Sequence, residues 1–433
     1  MSERNDWYKL DNAAKIIPTS VEGADTRVFR LVCELKEPVD PAILQQALDK
    51  TLLEFPYLCS CLRRGVFWYY MDAVDQKPLV RPDNKHALAS LYRPGRKNLL
   101  FRVTYYEKRI NVEMFHVLAD GTGGFVFMTH LVAQYLSLKY DLDYDALLPD
   151  SSSVEEKESD AFGRFYEDRA AQKKNNRTKE HRNFIKEMFP EEAYQIKGER
   201  DADLRQHLIE AAVPTDKLVA AAKAHGVTVG VFTTSLYIEA LLAQMTVQDR
   251  KRPIVISVPV NLRQFFPSST TRNFFGTIQI SYHPDHYDGS LESILKDVQE
   301  KFARELDPER VFQTMNSYAA LEHNYAVKMS PLFLKWPALH GFNSLMKKGV
   351  TTSVSNIGRI NVPDEIVPYV DRYSAFMSGR NAFMCVSTFR EKTIFGVASC
   401  FTRHTVFMTM FRRMEQMGIP VEIATNDYDK EAV

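Results

Sequence analysis

One short segment of the sequence combines residue types that could carry out acid–base chemistry. Residues 115–124 read FHVLADGTGG, and within them His116, Asp120 and Gly121 form the pattern H-x-x-x-D-G. A neutral imidazole accepts a proton near pH 7, so this histidine could activate an alcohol or an amine as a nucleophile. At average residue frequencies the pattern arises by chance in roughly four of every hundred chains this long, so it needs further support. The alternative is a core histidine hydrogen-bonded at a strand end.

Other groups of reactive side chains are weaker candidates. His283, Asp285 and His286 could bind a metal ion, but a polar turn between a strand and Gly289 explains them more simply. Lysines 347 and 348 could meet phosphates, although a solvated loop end is the simpler interpretation. The chain has no G-x-S-x-G elbow, no P-loop and no H-E-x-x-H motif. We therefore expect no serine nucleophile and no bound metal.

Composition excludes several other classes of protein. The 433 residues include 55 Lys+Arg and 55 Asp+Glu, so the net charge is zero and the basic footprint of a nucleic-acid-binding protein is missing. The charged N-terminus lacks the apolar core of a secretory signal, and no apolar run approaches the roughly 18 residues that span a bilayer. The five cysteines are scattered and odd in number. They are typical of reduced thiols in a cytoplasmic protein.

The residues that could do chemistry must be positioned by mixed strands and helices. Periodicity and turn residues predict strands at 27–35, 66–71, 99–106, 109–115, 207–213, 253–260, 277–282, 382–388 and 393–400. Helices are predicted after Asp40-Pro41, over 125–140, after an N-cap at Thr215, and over 229–246, 291–306 and 405–417. His116 then lies between a strand and a helix, where rigid elements commonly present catalytic side chains.

The chain is long for one hydrophobic core, so we predict two subdomains. An N-terminal subdomain over 1–170 carries the H-x-x-x-D-G motif. A linker rich in charges of both signs follows over 171–204, and a C-terminal subdomain covers 205–433. Each half has the pattern of a mixed sheet with helices on it, so the fold class is α/β, an α+β sandwich that occurs twice.

Four segments together resemble the chloramphenicol acetyltransferase-like superfamily, which includes condensation domains. The first is the H-x-x-x-D-G motif. Residues 259–276 contain N-L-R followed by a turn with asparagine and glycine, residues 353–363 (SVSNIGRINVP) resemble the S-N-x-G crossover segment, and residues 7–18 (WYKLDNAAKIIP) are similar to the opening of bacterial alcohol acetyltransferase-like proteins. The D-F-G-W-G motif of plant enzymes and the double histidine of condensation domains are absent, since Phe115 precedes the motif histidine. The resemblance is therefore closest to the bacterial group.

The resemblance implies a tunnel between the two subdomains and a role for each motif residue. His116 is the general base. The counterpart of Asp120 turns away from the substrate and pairs with an arginine, and Arg263 of the N-L-R stretch matches that arginine's segment. Gly121 is expected to give the turn backbone freedom.

For five further residues the predicted roles are less specific. Ser355 and Asn356 are candidate oxyanion or substrate contacts, with a turn at a strand end as the alternative. Asn273 and Gly276 are interpreted as loop residues, and Arg272 is a second candidate partner for Asp120.

The function implied is transfer of an acyl group from acyl-CoA, a substrate and not a resident cofactor, to a small alcohol or amine. Two alternatives stay open: a condensation-type transferase whose donor is a carrier-protein thioester, and a non-catalytic binding module that keeps the fold. The sequence leaves undetermined the acceptor, the acyl chain length and the oligomeric state.

Overall fold

The computed structural model of the chain describes residues 7–148, 152–163, 165, 191–323 and 329–426. The strands in these residues are β1 (Trp7–Lys9), β2 (Val28–Leu35), β3 (Ser60–Arg64), β4 (Tyr69–Ala73), β5 (Arg81–Pro82), β6 (Phe101–Tyr106), β7 (Arg109–Phe115), β8 (His207–Pro214), β9 (Ile254–Asn261), β10 (Phe275–Tyr282), β11 (Thr352–Arg359), β12 (Val370–Met377), β13 (Ala382–Phe389), β14 (Lys392–Ser399) and β15 (Glu422–Thr425).

The helices are α1 (Asn12–Ser20), α2 (Pro41–Thr51), α3 (Gly121–Tyr140), α4 (Tyr144–Leu147), α5 (Val154–Glu158), α6 (Thr215–Ala224), α7 (Val229–Leu242), α8 (Leu291–Glu305), α9 (Pro308–His323), α10 (Leu332–Lys348) and α11 (Thr405–Gln416). Within the described residues none is both long enough and apolar enough to cross a bilayer.

A five-stranded sheet carries the motif of the first half. Its order is β12-β2-β7-β6-β5, antiparallel except for the pairing of β5 with β6. Four strands come from the first 115 residues, and β12 comes from the second half. Helices α2 and α3 pack together, and α3 also packs on β2. Because β7 is a central strand, the residue that follows its end is held by the whole sheet.

A seven-stranded mixed sheet forms most of the second half. Its order is β10-β9-β11-β13-β14-β8-β15, and β11 is parallel to both of its neighbours. The two large sheets pack closely, since a Cβ on Gly396 of β14 would lie 2.1 Å from the carbonyl oxygen of Ala375 on β12. A smaller antiparallel sheet, β1-β4-β3, is also formed by the first half of the chain.

The seven-stranded sheet opens between two of its strands. Strands β9 and β11 pair only at Thr352 with Ile256 and at Ser353 with Ser257. Beyond these residues β9 continues with β10, and β11 continues with β13. The sheet therefore forks, with backbone on both sides of the opening.

The predicted strands and helices are present, with several bounds corrected. Thr215 is the first residue of α6, and Pro214 is its N-cap. Residues 66–68 form the turn before β4, which runs from Tyr69. The apolar helix α7 ends at Leu242 because the chain turns before β9. Residues 347–348 end α10, so the expectation of a loop there is wrong. Residues 171–190 of the predicted linker lie outside the described residues.

Candidate active site

His116 is placed by the end of β7 and by the neighbouring turn of the first sheet. Its backbone N–H donates to the carbonyl oxygen of Arg27, at 2.9 Å. Five residues later α3 begins at Gly121, with Asp120 as its N-cap. The histidine thus sits in a short, fully constrained connection between a central strand and a long buried helix.

Two aromatic rings hold the imidazole from different halves of the chain. The ring of Phe29 on β2 meets it edge-on at 5.4 Å, and that of Phe275 on β10 lies at 5.3 Å. His116 is half-buried between them. This burial lowers the pKa of His116 from its usual value, while the charge of Asp120 acts in the opposite direction. The imidazole is therefore neutral at pH 7 and can accept a proton.

Asn273 determines which imidazole nitrogen carries the proton. The Nδ1 atom of His116 lies 3.0 Å from Asn273 Oδ1. The amide orientation is fixed because Asn273 Nδ2 faces two acceptors, Asp11 Oδ2 at 3.2 Å and the carbonyl oxygen of Val117 at 3.4 Å. Since Oδ1 can only accept, Nδ1 must donate. The neutral ring then has its lone pair on Nε2, as a general base requires.

Asp11 supports Asn273 from a buried position near the N-terminus. Its Oδ1 accepts from Ala14 N–H at 2.8 Å and so caps α1, while Oδ2 accepts from Asn273. Burial raises the pKa of Asp11, and Arg272, with Nη2 3.8 Å from Oδ2, opposes this. Asp11, Asn273 and His116 therefore form a hydrogen-bonded chain that begins at the N-cap of α1 and ends at the imidazole.

Asp120 faces away from the imidazole and joins the two halves. Its Oδ1 accepts from Gly123 N–H at 2.9 Å, and its Oδ2 accepts from Phe274 N–H at 2.8 Å and from Arg263 Nη1 at 2.7 Å. Both side chains of the ion pair are nearly buried, 6% exposed for Asp120 and 11% for Arg263. Asp120 thus has the structural position expected from the resemblance. Arg272 is not its partner, since it pairs with Asp11.

Arg263 also holds segment 270–274, which carries Asn273 toward His116. Its guanidinium donates to the carbonyl oxygens of Thr270 at 2.9 Å and Arg272 at 2.7 Å. On its other side the segment is attached to the first half, since Thr271 N–H donates to the carbonyl oxygen of Lys157 at 2.9 Å. The segment is buried and fixed at both faces, so the position of Asn273 is well determined.

The glycines after the motif have different roles from the one expected. Gly121 has no positive φ, and a Cβ there would meet no atom within 4 Å, so the expected need for backbone freedom is wrong. Gly123 is needed for close approach, because its Cβ would lie 1.8 Å from the carbonyl oxygen of Thr271. A Cβ on Gly124 would lie 2.7 Å from the ring of Phe29. The glycines at 123 and 124 therefore let α3 approach both segment 270–274 and the ring beside His116.

Ser355 and Asn356 lie on β11 where it has left β9. Ser355 is half-buried and pairs in register with Cys385, whereas Asn356 is exposed and accepts from Gly358 N–H at 3.2 Å across a bulge. The hydrogen bonds found for His116 do not include either residue. The structure thus places both at the fork of the sheet without bringing them to the imidazole.

Two clefts lie next to His116. The larger one is lined from both halves by residues including Arg27, Ser257, Lys347, Ser353 and Arg380. Arg27 connects this cleft to the site, because its carbonyl oxygen accepts a hydrogen bond from the backbone N–H of His116. The other is a small pocket lined by Phe275, which contacts the imidazole, and by mostly apolar residues. His116 lines neither cleft, so the continuous tunnel stays a prediction.

The residues that support His116 could not be identified from the sequence, although the motif itself could. The sequence predicts only a loop residue at Asn273 and no role for Asp11, yet both belong to the hydrogen-bonded chain that ends at His116. The available signals were the asparagine after Arg272 and the aspartate in the N-terminal segment. His283 is the N-cap of a short 3-10 helix and His286 is its last residue, with the two rings 5.9 Å apart. No group of three or more metal-binding side chains was found in the described residues.

Comparison with known proteins gives a match in structure only. No family model matches the chain, and no curated protein matches its sequence. The first condensation domain of the calcium-dependent antibiotic synthetase matches with a TM-score of 0.63 and 14% identity, covering 95% of this chain and 96% of that one. TRI101 of F. graminearum, solved with coenzyme A and T-2 mycotoxin, has a TM-score of 0.62 and 11% identity, covering 96% and 99%.

A third solved structure agrees with these two. Polyketide synthase associated protein 5 from Mycobacterium tuberculosis has a TM-score of 0.60 and 13% identity, covering 96% of this chain and 98% of that one. At such identities the likeness shows the fold. The chain has the mixed α/β fold of the solved condensation domain and of TRI101, which confirms the fold class predicted from the sequence.

Proposed function

We propose that this protein is an acyltransferase that moves an acyl group from acyl-CoA to an alcohol or amine, with His116 as general base. The observation that carries the proposal is the hydrogen bond between His116 Nδ1 and Asn273 Oδ1, at 3.0 Å. It fixes the tautomer in which Nε2 accepts a proton. The lowered pKa of His116 keeps that atom unprotonated at neutral pH. The sequence resemblance to bacterial alcohol acetyltransferase-like proteins agrees with this chemistry.

The reaction needs one proton carrier and no covalent enzyme intermediate. His116 Nε2 takes the proton of the acceptor hydroxyl or amine as its oxygen or nitrogen attacks the thioester carbonyl carbon. The tetrahedral oxyanion collapses, the C–S bond breaks, and the leaving thiolate takes the proton from the imidazolium. A fixed donor must stabilise the oxyanion. Ser355 is our candidate for this donor, because it lies at the fork of the sheet and carries a half-buried hydroxyl.

The larger cleft supports CoA as the donor. Arg27, Lys347 and Arg380 line it. Asp25, which also lines the cleft, pairs with Arg27 and Lys347, so Arg380 is the cation that we expect to bind a phosphate oxygen of CoA. The cleft adjoins the backbone that holds His116, because the carbonyl oxygen of Arg27 accepts from His116 N–H at 2.9 Å. Solved neighbours have been crystallised with coenzyme A or an acyl-CoA, which is a property of those proteins.

Thiol release tests the proposal directly. The purified chain is mixed with acetyl-CoA or longer acyl-CoAs and a pool of alcohols and amines, and free CoA is followed with a thiol reagent. We expect acceptor-dependent release, and His116→Ala should lower kcat about 10²–10⁴-fold. His286→Ala is the matched control, because His286 is exposed in the turn after β10. If His116→Ala retains more than half of the wild-type kcat, the assignment fails.

A carrier-protein donor is the second candidate. The condensation domain of the calcium-dependent antibiotic synthetase shares the fold, and part of the nonribosomal peptide synthetase FmoA3, 44% of its chain, matches at a TM-score of 0.62. This candidate predicts turnover only with an acyl group loaded on a carrier protein, and none with free acyl-CoA. Binding of acyl-CoA without turnover of either donor would instead indicate a binding module.

A further inference from the structure

Helix α10 presents an apolar face to solvent. At 100° per residue, Phe333, Leu334, Phe342 and Leu345 lie on one half of the helix circumference. Their exposed fractions are 64%, 61%, 39% and 36%. The remaining exposed positions of that half are residues 337, 338 and 341, which are Pro, Ala and Gly, and Lys348 at the end. The exposed half of this helix thus has no charged side chain before its last residue.

The opposite half of α10 is attached to the first subdomain. The buried Lys335 places its Nζ 3.6 Å from the ring centre of Trp68. Asn343 Nδ2 donates to Thr19 Oγ1 at 2.9 Å, and Lys347 Nζ donates to the carbonyl oxygen of Ser20 at 2.8 Å. Since these contacts hold the helix along its length, the apolar half faces outward as a stable feature of the fold.

The turn between β3 and β4 extends the apolar surface. Val66 is 71% exposed and Phe67 is 41% exposed. The carbonyl oxygen of Val66 accepts from Leu332 N–H at 2.7 Å, so this turn lies against the first residue of α10. Two segments far apart in sequence therefore combine into one apolar surface, the α10 face, formed by residues 66, 67, 333, 334, 342 and 345.

The charged side chains of helix α10 itself are all positive. Helix α10 contains Lys335, Lys347 and Lys348 and no acidic residue. Lys347 pairs with Glu22 and Asp25, whereas Lys348 and Arg64 have no ion-pair partner among the described residues. The acidic residues near the helix lie at its C-terminal end, where Glu191 and Glu192 precede Ala193, whose N–H donates to the carbonyl oxygen of Lys348 at 3.0 Å. An exposed apolar face bordered by free cations is typical of helices that lie in a lipid headgroup layer.

We infer that the α10 face binds the surface of a bilayer that contains anionic phospholipids. The apolar side chains would enter the headgroup layer, while Arg64 and Lys348 would meet lipid phosphates. A second copy of the chain fits less well, because two such faces would bring like charges together. The buried side of the same helix lines the larger cleft through Asn343, Met346 and Lys347. Membrane binding would therefore place this cleft close to the lipid surface.

Vesicle sedimentation with the full chain tests the inference. Vesicles of phosphatidylcholine alone are compared with vesicles containing 30% phosphatidylglycerol, a composition chosen to make the surface anionic. We expect stronger binding to the anionic vesicles. The quadruple serine variant of Phe333, Leu334, Phe342 and Leu345 should bind at least about tenfold more weakly. The matched control is the double serine variant of Leu53 and Val247, two apolar residues 77% and 86% exposed outside the α10 face.

Further readouts separate this inference from the proposed acyltransferase activity. Thermal denaturation checks that the quadruple variant is folded, and its thiol release with water-soluble substrates should be unchanged. The double charge reversal Arg64→Glu and Lys348→Glu should abolish the preference for anionic vesicles. The inference is overturned if the wild-type chain does not sediment with either vesicle, or if the quadruple variant binds like the control. It is also overturned if ultracentrifugation shows a wild-type dimer that the quadruple variant dissolves.

Discussion

Substitutions of Asp120 and Arg263 should have strongly non-additive effects on the free energy of unfolding, because the two side chains form a buried ion pair. Breaking a buried pair by removing one partner costs about 3–5 kcal/mol, since a charge is left without its partner. Asp120→Ala also removes the N-cap of α3, worth about 1 kcal/mol, and a hydrogen bond to Phe274 N–H. In Arg263→Ala the carboxylate keeps two backbone donors, but carbonyl oxygens of segment 270–274 lose theirs.

These contacts set the expected magnitude of each change. We expect losses in the free energy of unfolding of about 4 kcal/mol for Asp120→Ala and about 3 kcal/mol for Arg263→Ala. The double variant leaves no stranded charge, so its loss should be about 2–3 kcal/mol smaller than the sum. Activity should fall in each variant, because segment 270–274 positions Asn273 and hence the imidazole.

Urea denaturation of the wild type, both single variants and the double variant measures the coupling. The matched control is the exposed pair Arg390 and Asp364, whose atoms lie 2.5 Å apart with 54% and 88% exposure. Its coupling energy should be below about 1 kcal/mol, as solvent screens exposed pairs. If the buried pair also couples by less than about 0.5 kcal/mol, the ion pair does not join the two halves energetically.

Three further predictions follow from the site. Asn273→Ala should lower kcat about 10–100-fold with little change in KM, because it removes the group that orients the functional histidine. The control is Asn98→Ala, which removes an amide bonded to carbonyl oxygens far from the site and should leave kcat unchanged. Because burial lowers the pKa of His116, the base should become protonated only below pH 6.5, so kcat/KM should stay constant down to that pH and decline below it. A decline that begins near pH 7.5 would contradict this. Gly123→Ala should lower the free energy of unfolding by about 1–3 kcal/mol in urea denaturation, whereas Gly121→Ala should lower it by less than about 1 kcal/mol. Equal losses would show that close approach of the backbone is not the reason for glycine at position 123.

The sequence by itself determined the fold class and the candidate base. Strand and helix periodicity is local, so β7 and the apolar part of α3 could be predicted around the H-x-x-x-D-G motif. The resemblance also indicated Arg263 as the partner of Asp120, and the two atoms lie 2.7 Å apart. Such information is available because it depends on residue type and spacing over short stretches, or on motifs shared with a superfamily.

Tertiary structure alone decided how the base is supported. Asn273 lies 157 positions from His116 and Asp11 lies 262 from Asn273, and periodicity does not relate residues so far apart. The need for glycine at 123, and not at 121, likewise depends on a carbonyl oxygen that segment 270–274 brings within 1.8 Å of a Cβ. The apolar half of α10 is also a tertiary result. An apolar helix in sequence is expected to be buried, and only the packing of its other half on α1 shows which side faces solvent.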